Sequence, residues 1–293
     1  MISLHPILRW KMVDIADITA PETVQRIYKH YEDTCEDWRR PHLGASVIGH
    51  PCSRYKWFTF RWAAAPDFDG RMLRLLETGH REEARVIQNL RDIGIEVVDR
   101  IPGTDDQIRY ASFCGHYAGS LDGAGHGFSE APVTWHVLEM KTMSRKGFDR
   151  LKVSSVRYEK PQHYAQMQQY MAWSGMTRAY YFVVCKDTDE IYAERVQEDT
   201  ETQERILLEA EIIIFQTRKP PAMENHSFFC KFCQFYGICW DMQPMTKNCR
   251  TCKASRPVDA PGDEGGRWDC SHCGQLSIQQ QKQACINFNQ IDM

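Results

Sequence analysis

The chain has 293 residues, 42% of them hydrophobic, enough for one large buried core with a small appendage beside it. Its longest apolar runs, such as Ile212 to Phe215, fall far short of the roughly 20 residues that cross a bilayer; residues 1–10 lack a secretory leader's basic start and apolar run, so no membrane partner and a cytoplasmic location (host cytoplasm if the source is viral) are expected. A formal net charge of −3 excludes chain-wide attraction to polyanions and leaves any such contact to a local basic surface.

In chain order, Pro21 to about Trp38 places Val24, Ile27, Tyr28 and Tyr31 at three-to-four spacing behind a proline suited to a first turn, which predicts a helix. Residues 1–42 are expected as an N-terminal helical segment. Residues 45–62 hold Cys52 among aromatics and the basic Arg54, Lys56 and Arg61. Between Gly70 and Arg91 the positions Leu73, Leu76, Ala84, Ile87 and Leu90 predict a long helix, interrupted only by Gly79. The period then changes to two. Strands are expected near 95–100, 113–122 and 134–142, with Pro102-Gly103 and Gly123 to Gly127 as turns.

Lys160 to Ser174 predicts a helix with Pro161 in its first turn and Gly175 as its cap. Residues 178–185 and 190–196 predict two strands, with 186–189 as a hairpin turn. Thr200 and Gln203 resemble a capping box opening a helix to about Thr217, before Pro220-Pro221. Seven basic residues between Lys141 and Lys160 face only Asp149 and Glu159. That run fits a solvated loop or, beside the 134–142 strand, a nucleic-acid contact built from Arg145, Lys146, Arg150 and Lys152, with Arg54 a further candidate.

A strand over 135–142 puts Glu139 and Lys141 on one face, separated by a residue that points away. A carboxylate beside an ammonium can hold a hard cation and orient a water next to it. Asp122 lies between Gly119 and Gly123, where the backbone can bend close to the carboxylate. A Glu-x-Lys pair is common on surfaces, but here Trp135, Val137, Leu138 and Met140 predict burial, which is costly for unpaired charge. Gln166 and Tyr170, four apart, share a helical face, and Glu83 on the upstream helix can add a carboxylate; helical Glu and Gln otherwise face solvent.

Gly79 to Glu83, Gly119-Ser-Leu-Asp122-Gly, Leu138-Glu139-Met-Lys141-Thr and Gln166-Met-Gln-Gln-Tyr170 stand in one order. With them the chain resembles the RecB-type branch of the PD-(D/E)XK nucleases over roughly residues 43–240. The resemblance implies an α/β (α+β) restriction-endonuclease-like core with a mixed central sheet flanked by helices. It also implies that Asp122, Glu139 and the Met140 carbonyl bind magnesium or manganese, that Lys141 positions and activates the attacking water, and that Glu83, Gln166 and Tyr170 complete the site.

Cys230-x2-Cys233-x5-Cys239 supplies three thiolates and needs a fourth for a tetrahedral zinc or a four-iron cluster. Cys52 lies upstream of the core as the triplet lies downstream. That bracketing resembles the AddB nuclease subunit and the CRISPR-adaptation nucleases and implies a 4Fe-4S cluster as a structural staple, with zinc the alternative. Cys249-x2-Cys252 and Cys270-x2-Cys273 form a zinc-ribbon signature in residues 241–293, with His272 and Cys285 as alternative fourth ligands. So small a module is expected to fold on its metal. Cys114 and Cys185 are expected as buried hydrophobes and Cys35 carries no signal; no nucleophile elbow accompanies any Cys-His pair.

The function implied is a metal-dependent DNA exonuclease, of phage or bacterial type, in recombination, repair or end processing, with an endonuclease or a non-catalytic DNA-binding scaffold as alternatives. No Gly-x4-Gly-Lys-Ser/Thr motif is present, so a helicase motor would be a separate partner, as would a single-strand annealing protein.

Overall fold

The computed structural model describes residues 20–37, 39–66, 68–223, 227–262 and 265–292; Trp38 and the start of the expected N-terminal segment, residues 1–19, lie outside them. In chain order the elements are helix α1 (Pro21–Asp33), strand β1 (Leu43–Gly44), helices α2 (Ala45–Ile48), α3 (Ser53–Phe60) and α4 (Gly70–Asp92), and strands β2 (Glu96–Val98), β3 (Arg109–Ser112), β4 (Tyr117–Ser120), β5 (Gly123–His126) and β6 (His136–Met143). Helices α5 (Arg145–Glu159) and α6 (Pro161–Ser174), strands β7 (Arg178–Cys185) and β8 (Ile191–Gln197) and helix α7 (Thr200–Phe215) follow. The C-terminal part holds α8 (Tyr236–Trp240), β9 (Ser255–Val258), β10 (Arg267–Cys270), β11 (Gly274–Leu276) and α9 (Ile278–Gln281).

The chain divides into two compact units, residues 1–37 with 68–77 and residues 38–67 with 78–293. In the first, α1 ends at Asp33, short of the expected end, and the Thr34 N–H and hydroxyl both donate to the His30 carbonyl at its last turn. Gly70 sits so close to Tyr28 that a Cβ there would lie 2.0 Å from the Tyr28 carbonyl oxygen, and its N–H donates to Glu32 at 2.9 Å.

The second unit is mixed α/β. Among the described residues its main sheet has the order β2-β5-β6-β7-β8, with β6 and β7 parallel and the other neighbours antiparallel. Helices α5 and α6 carry the chain between the two parallel strands, as such a pair requires. Period-two alternation divides β6 and β7 between two apolar layers. Val137, Met143, Ala179, Tyr181 and Val183 join the large core under α3, α6 and α7. Leu138, Met140, Tyr180 and Phe182 face Val86, Ile87 and Leu90 of α4. A smaller sheet has the order β1-β4-β3.

Helix α6 matches its expected span, with Gly175 in the left-handed region at φ 72° as its cap. Elsewhere the structure differs from the sequence reading. Gly123 to His126, expected as a turn, is strand β5: the bare Cα of Gly125 admits the Phe128 ring, which a Cβ would approach to 2.8 Å. Residues 113–122 are not one strand, because Phe113 and Cys114 are left-handed (φ 53° and 52°) and turn the chain between β3 and β4. Cys114 is therefore exposed, whereas Cys185 is buried. The basic run is helical in α5, and the cap of α7 is Asp199, whose side chain accepts from the Thr202 N–H at 3.0 Å.

The C-terminal sheet, β11-β10-β9, is antiparallel, and Trp268 and Leu276 join the main core. Trp268 stands between two buried guanidiniums, Arg61 at 5.4 Å and Arg250 at 4.7 Å from its ring. Arg250 is satisfied by carbonyls of Phe60 and Pro41 and by the Gln281 side chain. Among the described residues no helix is long and apolar enough to cross a membrane.

Candidate active site

β5 pairs with β6 only as far as Leu138. Beyond that point the Met140 N–H and C=O, which leave the strand on the same side, lack a strand partner. Asp122, in the link between β4 and β5, accepts from the Met140 N–H at 2.8 Å, and Lys141 Nζ donates to the Met140 carbonyl at 3.0 Å. The same ammonium pairs with Glu139 and lies 3.8 Å from Asp122. Glu139, Lys141, Asp122 and the Met140 carbonyl thus meet where the sheet opens.

Glu139 is fully buried, and among the described residues neither carboxylate oxygen has a hydrogen-bond partner beyond the ion contact with Lys141. Burial pushes its carboxyl up to about 8, against the pull of Lys141 and with the push of Asp122. For Lys141 burial works to lower the pKa, but Glu139, Asp122 and Glu83 outweigh it and hold the amine above its ordinary value. Glu83, on α4, is half-buried; burial first, then Asp122, pushes it up to about 7. Its neighbour Glu82 turns instead to Arg85, at 3.3 Å.

Helix α6 closes the other side. Gln166 and Tyr170 are both buried, and the Tyr170 hydroxyl donates to the Ser120 carbonyl at 2.7 Å, two residues before Asp122. Gly119 makes this approach possible, since a Cβ there would lie 2.7 Å from the Tyr170 hydroxyl oxygen. His163 belongs to the same surroundings and was not singled out in the sequence. Its Nδ1 lies 2.5 Å from the Tyr181 hydroxyl, Tyr181 pairs in register with Glu139, and burial with nearby Lys141 and Lys160 lowers its pKa to about 3, so it is neutral. Its three- and seven-residue spacing from Gln166 and Tyr170 was the signal available.

The donor set suits a hard divalent cation: two carboxylates and a carbonyl, all oxygen, one carboxylate buried without hydrogen bonds. In this arrangement the Lys141 ammonium is the cation they share. Among the described residues no group of three or more His, Cys, Asp or Glu side chains is arranged as a metal-holding set.

The candidate DNA-contact residues are mostly engaged with the protein. Arg145 pairs with Asp149 at 2.8 Å, Arg150 with Glu159 at 2.7 Å and Lys152 with Glu190 at 3.6 Å, while Lys146 is exposed. Arg54 donates to the Pro220 carbonyl at 2.8 Å and lies beside Cys239.

Cys52, Cys230, Cys233 and Cys239 line one small cavity with Tyr55, Phe58 and Phe235. Cys52 precedes α3 and accepts from the Tyr55 N–H at 3.4 Å; Cys230 and Cys233 lie in the turns before α8, and Cys239 lies in α8 itself. Burial pushes the Cys233 thiol up, and Cys239, Cys52 and Cys230 add to it. In the second group burial pushes Cys249 up to about 11, reinforced by Cys285, Cys270, Cys252 and Cys273 in that order. The His272 N–H points at Cys270 Sγ (3.5 Å), leaving the His272 backbone and not its ring engaged there. Among the described residues no two cysteines are joined in a disulfide.

No family model matches the chain, and no curated protein does. Among solved structures it is similar to the alkaline exonuclease LHK-Exo from Laribacter hongkongensis, at 14% identity and TM-score 0.40 over 63% of this chain and 90% of that one. LHK-Exo in complex with dAMP matches at the same identity and TM-score over 60% and 87%. The protein SSO0001 matches at 14% identity and TM-score 0.44 over 74% and 96%.

Proposed function

We propose that the chain is a magnesium- or manganese-dependent deoxyribonuclease of the PD-(D/E)XK type that hydrolyses phosphodiester bonds, acting from DNA ends in recombination, repair or end processing. One observation carries this reading: the Lys141 ammonium meets the Asp122 and Glu139 carboxylates beside an unpaired strand carbonyl at the open edge of a sheet. Hydrolysis of a phosphodiester needs positive charge at the phosphate and a water held in line with the leaving oxygen. Asp122, Glu139 and the Met140 carbonyl would hold a divalent cation, which supplies charge neutralisation and a more acidic water.

Lys141, protonated beside its carboxylates, donates hydrogen bonds to the attacking water and to a phosphate oxygen. Glu83, with its pKa near neutrality, is suited to exchange a proton with water on the α4 side. Tyr170 and Gln166 fix the Ser120-Asp122 segment from beneath, so Asp122 stays aimed at Met140. We assign Cys52, Cys230, Cys233 and Cys239 to a 4Fe-4S cluster that ties α3 to the α8 region. Cys249, Cys252, Cys270 and Cys273 are assigned to zinc, with Cys285 rather than His272 as the neighbour able to replace a ligand.

The test is release of label from an end-labelled linear duplex, beside a covalently closed circle, in magnesium or in chelator. Digestion of the linear DNA in magnesium alone is expected. Equal attack on the circle would make the enzyme an endonuclease, and no attack on either would remove the nuclease reading.

A further inference from the structure

Away from the carboxylate cluster, β9, β10 and the segment after α7 enclose a cleft of about 930 Å3. Its wall carries Arg61, Arg218, Lys219, Lys253 and Arg256, in a chain whose formal net charge is −3. The two acids in the wall are already taken. Asp269 is held by Arg267 at 2.7 and 2.9 Å, and Asp292 by Lys253 at 2.6 Å in an exposed pair. Arg218 and Arg256 are exposed and make no ion pair among the described residues.

The floor adds a second, independent observation. Arg61 is 2% exposed and stacks on Trp57 at 4.7 Å. Among the described residues it bonds to the carbonyls of Arg250 and Gln216 alone, and its Nε has no acceptor there. Ser255, 6% exposed in the same wall, has a hydroxyl without a partner. Buried donors without acceptors are rare in folded proteins, and a buried guanidinium without a carboxylate is rarer still. Two of them under a basic rim match a ligand with several anionic oxygens, and charge-assisted bonds from Arg to phosphate meet that need. A volume near 930 Å3 exceeds what one phosphate fills.

We propose that this cleft is a second phosphate-binding site along which a DNA strand lies, its backbone held by Arg218 and Arg256 at the rim and by Arg61 and Ser255 at the floor. The identity of the strand rests on the nuclease reading; the preference for phosphate does not. It also accounts for a DNA-acting chain with a negative overall charge, since the attraction is local.

The test is binding of a fluorescein-labelled single-stranded oligonucleotide to the full chain, read by anisotropy over a salt series with no magnesium or manganese added, so that cleavage is suppressed and the zinc module is left loaded. Arg218→Ala/Arg256→Ala is expected to raise Kd about tenfold and to lower the log–log salt slope by about 1.4, roughly 0.7 for each phosphate no longer neutralised. Ser255→Ala, which leaves the rim intact, is expected to raise Kd about threefold with the slope unchanged. Wild-type Kd and slope in the double variant would overturn the proposal. So would displacement of the strand by a 5′-mononucleotide as readily as by unlabelled strand at equal phosphate, which would make the cleft a small-ligand site. Cleavage by wild type in magnesium is scored separately. Weakened binding in the double variant without any wild-type cleavage sinks the nuclease reading and keeps the cleft; cleavage with unaltered binding sinks the cleft alone.

Discussion

The Asp122 carboxylate accepts a 2.8 Å hydrogen bond from the Met140 N–H at the point where β6 has outrun its pairing with β5. One carboxylate therefore completes the sheet edge and also belongs to the proposed cation-binding set. The two roles separate by substitution. Asp122→Asn keeps an acceptor for Met140 and should unfold near the wild-type denaturant midpoint while losing DNA hydrolysis. Asp122→Ala should lose hydrolysis and also about 1–3 kcal/mol of stability, because a buried N–H is orphaned. Hydrolysis by the Asn variant at the wild-type rate would separate Asp122 from the chemistry.

Proton binding sets a pH window for cation binding. Glu83 and Glu139 are raised to about 7 and about 8 from an ordinary 4.5. The native state thus binds more protons than the unfolded chain between these limits. The stability due to their neutral forms is complete below about 4.5 and is lost as pH rises through 7 to 8. A divalent cation bound by Glu139 needs its carboxyl ionised, so manganese affinity measured by calorimetry should climb with pH up to about 8, approaching tenfold per unit for the proton released. Glu139→Gln should flatten this rise. A wild-type affinity independent of pH would show that Glu139 does not bind the cation.

Gly119 is predicted to be intolerant of a side chain. A Cβ would overlap Tyr170 and Ala45 at 2.7 and 2.9 Å, which overpacking places at about 1–3 kcal/mol. Gly119→Ala should lower the thermal midpoint and, by displacing Asp122, the turnover as well. Tyr170→Phe should reduce turnover with a smaller loss of stability, since only the bond to Ser120 is removed. Wild-type turnover in both variants would mean that α6 does not support the site.

The two cysteine groups should differ in metal content. Elemental analysis of protein purified without oxygen should find iron lost on Cys233→Ala and zinc retained, with the reverse for Cys252→Ala. Broad visible absorbance should follow the iron. Zinc in both groups of the wild type would replace the iron–sulfur assignment.

Much of the site was legible because it depends on short-range geometry. Period two alone puts Glu139 and Lys141 together, and helical spacing alone puts Gln166 with Tyr170. The position of Asp122 between two strands was not legible, since the end of the β5–β6 pairing is a long-range property. The glycines of β5 read as a turn because local propensity cannot see the Phe128 ring packed on Gly125. Nor did charge reveal burial: Lys56 is buried against the Ile48 carbonyl and Glu209, and Arg61 and Arg250 are buried by carbonyls and tryptophan faces that only the tertiary fold assembles. His163 shares a helical face with Gln166 and Tyr170 by spacing, but what it does there depends on the Tyr181 hydroxyl, which only the tertiary fold brings to it.

In the proposed reaction catalysis depends most directly on Lys141, and single-turnover hydrolysis of a linear duplex at saturating magnesium measures that dependence. Lys141→Ala should react about a thousandfold more slowly or worse while calorimetry still detects cation binding through Asp122 and Glu139. A Lys141→Ala protein that cleaves at the wild-type rate would contradict the assignment of this cluster as the catalytic centre.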